Sequence, residues 1–134
     1  MRRVLPAIFL SLGWALLVGM GGTPDTDIPT PEVDFRVTVI DGQGISTRCS
    51  GVSWKGKTFF TATRGKGTVT IPFEKVKKVT SAGEADDDKI DFRIMLIGGD
   101  VVAVTFDADA KLYGKTSFGT YRIEARNIKE VVFE

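Results

Sequence analysis

A chain of 134 residues, 43% hydrophobic and 26% charged, has the size and balance of one globular domain and is not a disordered polypeptide. Its 18 Lys and Arg against 17 Asp and Glu leave it near neutral, which argues against a nucleic-acid partner. The absence of histidine excludes the commonest general base, the Ser-His and Cys-His nucleophile pairs and every His-containing zinc site, and a lone cysteine excludes an internal disulfide.

In chain order, residues 1–22 read as a signal peptide. Met1-Arg2-Arg3 is basic, Val4 to Val18 is apolar apart from Pro6, Ser11 and Gly13, and the small residues Gly19, Gly21 and Gly22 follow. The expectation is an exported protein, periplasmic or secreted. The alternative is an anchor formed by an uncleaved N-terminal segment, but the apolar run is shorter than the ~20 residues a spanning helix needs. No cysteine follows it to carry a lipid. Residues 23–33, with three prolines and three acids, read as an extended, solvated linker.

From Asp34 onward apolar and polar residues alternate with the period of half-buried strands. Phe35, Val37 and Val39 share one face, Ile45, Thr47 and Cys49 another, and Val69, Ile71 and Phe73 a third. Gly and Asp-Gly punctuation separates the runs, as in hairpins. Only Glu74 to Val79 is weakly helical, and it is too short for more than a turn or two.

An internal repeat organises these strands. Asp34-Phe35-Arg36-Val37 recurs as Asp91-Phe92-Arg93-Ile94, 57 positions later, and Gly56-Lys57-Thr58 recurs as Gly114-Lys115-Thr116, 58 positions later. Val69, Ile71, Val76 and Val79 recur as Tyr121, Ile123, Ile128 and Val131, 52 positions later. The deletion that closes the offset is expected in a hairpin tip, where copy 1 has residues 61–67 and copy 2 a tight turn at Gly119. The expected fold is therefore all-β: two diverged copies of a roughly five-strand unit, forming a small barrel or sandwich with internal pseudo-symmetry. Copy 1 spans residues 34–81, a junction 82–90, and copy 2 residues 91–134.

The tail of copy 1, Gly67-Thr68-Val69-Thr70-Ile71-Pro72-Phe73-Glu74-Lys75-Val76-Lys77-Lys78-Val79, resembles that of the tandem small SH3-like or Sm-like β-barrel modules of exported bacterial proteins. Copy 2 keeps the apolar spacing but has Glu124 in place of the proline. The resemblance implies a fold and no activity, because such barrels host many.

Several motifs have bland readings. Gly51-Val52-Ser53-Trp54-Lys55-Gly56-Lys57-Thr58 matches a phosphate-binding loop, but Phe59-Phe60-Thr61-Ala62-Thr63 after it reads as a strand, where the chemistry needs a helix N-terminus. A hairpin turn, without nucleotide, is expected. Asp86, Asp87 and Asp88, beside Glu84, are consecutive where calcium ligands alternate, so a solvated junction is expected and no metal or other cofactor. Asp107 and Asp109, with Asp100 near, suit a carboxylate pair of a glycosidase only if something positions a substrate between them. Cys49 aligns with Phe106 across the repeat, which places it on the core face as a small, inert hydrophobe.

Charge carries the functional slope. Copy 1 has nine Lys or Arg against three acids, while residues 82–134 have seven against eleven. Lys55, Lys57, Arg64, Lys66, Lys75, Lys77 and Lys78 gather around the turns of copy 1 and are the candidate binding residues. The competing reading is that the two halves complement each other electrostatically. The sequence thus points to a non-catalytic exported binding or adaptor module of the cell envelope. Its partner is expected to be an envelope protein, an anionic polymer or a lipid headgroup. The alternatives are a scaffold that pairs through exposed strand edges, and a hydrolase working with carboxylates alone.

Overall fold

The computed structural model describes residues 31–134. The stretch read as a signal peptide, residues 1–22, and the part of the expected linker before Pro31 lie outside the described residues. Alternation becomes strand throughout the described part. The elements are β1 (Val37–Asp41), β2 (Ser46–Trp54), β3 (Phe59–Arg64), β4 (Gly67–Pro72), β5 (Val76–Ser81), β6 (Lys89–Leu96), β7 (Val101–Asp107), β8 (Lys111–Thr116), β9 (Gly119–Glu124) and β10 (Ile128–Phe133). The weakly helical stretch resolves into one 3-10 turn, Phe73–Lys75, and a second turn occupies Ala125–Asn127. Lys77 and Lys78 consequently lie in β5 itself, not in a turn.

All pairings are antiparallel, in one sheet of order β4-β3-β7-β6-β5-β10-β1-β2-β8-β9. Two short connections force that sheet to curl. β4 lies four strands from β5, about 19 Å along a flat sheet. The turn Phe73–Lys75 joins them with four backbone steps, which reach about 14 Å at full extension. The turn Ala125–Asn127 does the same between β9 and β10 across β8, β2 and β1. The β4 and β9 ends must therefore roll round toward the centre of the sheet.

The rolled interior is one contiguous core. Trp54, Phe60, Phe73, Phe92 and Phe106 are fully buried, with Val37, Val39, Ile94, Leu112 and Val131 among them. The aromatic rings meet at angles rather than in parallel stacks: Trp54 and Phe106 lie 4.6 Å apart between centroids, Phe60 and Phe73 4.9 Å, and Phe35 meets Phe73 edge-on at 5.4 Å. Cys49 joins this core, as its alignment with Phe106 implied.

β2 serves two neighbours, β1 along its first half and β8 along its second, and a register shift between Ser50 and Ser53 marks the bend. Gly51 sits in that bulge with φ +57°, a left-handed conformation that glycine adopts without Cβ strain. Its N–H donates to the Asp34 carboxylate at 2.7 Å.

One sequence correspondence fails. Gly56-Lys57-Thr58 begins within the tight turn between β2 and β3, but Gly114-Lys115-Thr116 lies inside β8, paired with β9.

Candidate functional site

The seven candidate basic residues do not share one place. Lys55 and Lys57 belong to the turn before β3, and Arg64 and Lys66 stand at the far end of that strand, about 20 Å away over six residues. Lys55 takes a left-handed φ of 55° and turns toward acid, lining a cavity with Asp107 and Asp109. Arg64 donates through Nη1 to the Ala103 carbonyl at 2.9 Å. Lys75 ends its 3-10 turn, and its carbonyl accepts the Ile97 N–H. Lys77 is exposed and Lys78 half-buried along β5.

The Lys55 cavity also brings Asp107 and Asp109 together. Lys89 Nζ approaches Asp107 Oδ1 at 2.6 Å. That hydrogen bond holds the Asp107 carboxyl below its usual range and raises the Lys89 ammonium, with the Lys55 charge helping on Asp107. A carboxylate held ionised in this way is a poor general acid. Asp86, Asp87 and Asp88 occupy the turn before β6, where Asp86 and Lys89 exchange backbone hydrogen bonds. Among the described residues no three His, Cys, Asp or Glu side chains converge to hold a metal.

A different set of cations does converge. Alternation along β1 sends Val37 and Val39 inward, which leaves Arg36 and Thr38 facing out. Arg48 on β2 pairs directly with Thr38, and Lys115 on β8 pairs with Ser50 on β2. Arg36, Arg48 and Lys115 thus border one open cleft of about 460 Å³, with the hydroxyls of Ser50, Thr116 and Ser117 and one carboxylate, Glu134. Arg48 meets Glu134 at 3.2 Å and Arg36 meets Asp34 at 3.3 Å. Both pairs are exposed to solvent and correspondingly weak, so an incoming anion competes for both guanidiniums. Lys115 has no carboxylate within ion-pair distance among the described residues.

Cys49 forms the floor of this cleft. Burial pushes its thiol up to about 11, so the thiolate, the nucleophilic form, is scarce at physiological pH. β8 closes over it because Gly114 has no side chain: a Cβ there would stand 2.8 Å from the Cys49 Cβ.

The alternation in β1 and β2 could have placed Arg36 and Arg48 on the outward face from the sequence. Lys115 was hidden, because its approach depends on β8 pairing with β2, more than sixty residues earlier, and no local pattern encodes that.

No helix among the described residues is long and apolar enough to cross a membrane. A family model described as "Uncharacterised protein" matches residues 31–134. Comparison with curated proteins and with solved structures gives no match.

Proposed function

The chain belongs to that family of uncharacterised proteins, and from this premise we propose that it is a non-catalytic, exported binding module of the cell envelope that holds an anionic group in the Arg36–Arg48–Lys115 cleft. The observation that carries the reading is the lining itself: three cations and three hydroxyls around one open cavity, against a single carboxylate. Guanidinium forks recognise carboxylate and phosphate groups bidentately, and hydroxyls complete their hydrogen bonding. Export rests on the order basic, apolar, small in residues 1–22.

The same reading includes two diverged copies of an SH3-like or Sm-like five-strand unit. The strand order supports it. Exchanging each strand for the one five places along (β1 with β6, β2 with β7, and so on) turns the order β4-β3-β7-β6-β5-β10-β1-β2-β8-β9 into its own reverse. Val79 and Val131, equivalent across the repeat, face each other at the middle of that order. Within this symmetry each half borrows the other copy's hairpin: β3-β4 adds to β7, and β8-β9 adds to β2.

Titration calorimetry with a disaccharide of galacturonic acid tests the cleft. Binding should weaken as salt rises, since exposed charges are screened within about 10 Å at 0.1 M. Paired Arg48→Glu and Lys115→Glu changes should lower the affinity of this cleft at least tenfold, while Lys57→Glu and Lys66→Glu leave it unchanged. Equal loss from the two pairs of variants would mean that overall charge, not the cleft, attracts the ligand.

One observation favours strand addition as a second reading. β4 is a sheet edge without a charged residue from Gly67 to Pro72, whereas the opposite edge, β9, carries Arg122 and Glu124. Lysine introduced at Thr70 should abolish any partner held this way and leave the cleft unaffected.

A further inference from the structure

We propose that the protein carries a second anion cleft and that its ligand is one linear, carboxylated polysaccharide lying across both; this rests on the reading of the first cleft as an anion site. A cavity of about 470 Å³ opens beside β7 and β3. Arg64 and Arg93 supply its charge, Thr63 and Thr105 its hydroxyls, and Asp91, which accepts the Thr105 hydroxyl at 2.7 Å, its one carboxylate. It is the first cleft met again. The offset of 57 carries Arg36 to Arg93 and Arg48 to Thr105, and the offset of 52 carries Thr63, Arg64 and Gly65 to Lys115, Thr116 and Ser117. The cations have been redistributed between equivalent positions, so each cleft keeps more positive than negative side chains.

The strand register joins the two clefts on one face. Arg48 pairs with Thr38, Thr38 with Val132, Val132 with Lys78, and Lys78 with Met95. Cross-strand partners point to the same side of a sheet, and Arg93 stands two residues from Met95 on the same side of β6. Arg48 and Arg93 are therefore about 20 Å apart along the surface. Lys78 stands between them, and Glu130 is the carboxylate of the neighbouring row. A single small anion fills one cleft and leaves the rest of this row without a role. A chain of repeated negative groups meets Arg48, Lys78 and Arg93 in succession. A sugar polymer suits the lining: the hydroxyls of Ser50, Ser117 and Thr63 donate no hydrogen bond within the described residues, and Phe118, 82% exposed beside Ser117, offers a face to a pyranose ring.

The test compares oligogalacturonates of two lengths on the full chain by titration calorimetry. The disaccharide should bind at two sites per molecule. A decasaccharide should bind once, about 100-fold more tightly or better, because its second contact is intramolecular. Arg93→Glu should reduce disaccharide stoichiometry to one and remove the decasaccharide's advantage. Lys78→Glu should weaken the decasaccharide alone. These side chains lie at the surface, and unchanged thermal unfolding would show that the variants are folded. One disaccharide site, no gain with length and no effect of Arg93→Glu would overturn the inference while leaving the first cleft standing. No binding of either sugar would overturn both. Binding to phosphatidylglycerol vesicles without binding to either sugar would replace the polysaccharide by a membrane surface and overturn the ligand assigned here.

Discussion

Gly114 and Cys49 are matched in size across β8 and β2, and the match is legible only in space. With 2.8 Å between the Cys49 Cβ and any Cβ at position 114, Gly114→Ala must push the strands apart. The expected loss is about 1–3 kcal/mol, the usual cost of overpacking, read as a lowered Tm in thermal unfolding. Cys49→Ala keeps the offending Cβ and should not rescue the variant, whereas Cys49→Gly should rescue it in part. Equal rescue by both would assign the clash to Sγ, at 3.4 Å. The sequence did reveal that Cys49 is buried, because alternation along β2 and the alignment with Phe106 both say so. It did not reveal Gly114 as its partner, since a glycine in a Gly-Lys-Thr run reads as a turn.

Among the elements, β2 depends on its bulge. The bend at Gly51 lets one strand pair with both β1 and β8, and the Asp34 carboxylate secures it by accepting the Gly51 N–H. That hydrogen bond, aided by Arg36, holds the Asp34 carboxyl below its ordinary value of 3.8. A carboxyl with a depressed folded pKa contributes stability above its unfolded value, and the contribution is lost as pH falls through the folded one. Asp34→Asn keeps an acceptor but removes the titration. Its unfolding midpoint should therefore fall less than the parent's as pH drops below 3.8, as urea denaturation across that range would show. Parallel curves would mean that Asp34 is equally perturbed in the unfolded chain. Hairpins such as β3-β4 and β6-β7 were readable from alternation and turn residues, because both strands and their turn are contiguous. The pairings of β3 with β7 and β2 with β8 were not, because they join distant segments whose patterns fit many partners.

For the whole molecule, the sheet order separates contiguity in sequence from contiguity in space. Five of its nine pairings join strands from opposite sides of the β5–β6 connection. Cleavage in that connection, near Gly83, should leave a noncovalent complex that persists under native conditions. The separated pieces, each retaining only two hairpins from the native order, should lack the native circular dichroism spectrum alone and regain it on mixing in equal amounts. Pieces that fold independently into monomers would mean that the crossed pairings are dispensable.

β10 occupies the middle of this order, between β5 and β1, although nine strands precede it in the chain. During synthesis no amount of upstream polypeptide can complete the sheet: until β10 leaves the ribosome, β5 and β1 each keep an unpaired edge and no strand joins the two sides of the sheet. Hairpins can form as they emerge, but the cooperative step waits for Ile128–Phe133. Maturation is thus timed by the last strand described, and a nascent chain halted before it presents two open edges to chaperones and proteases alike.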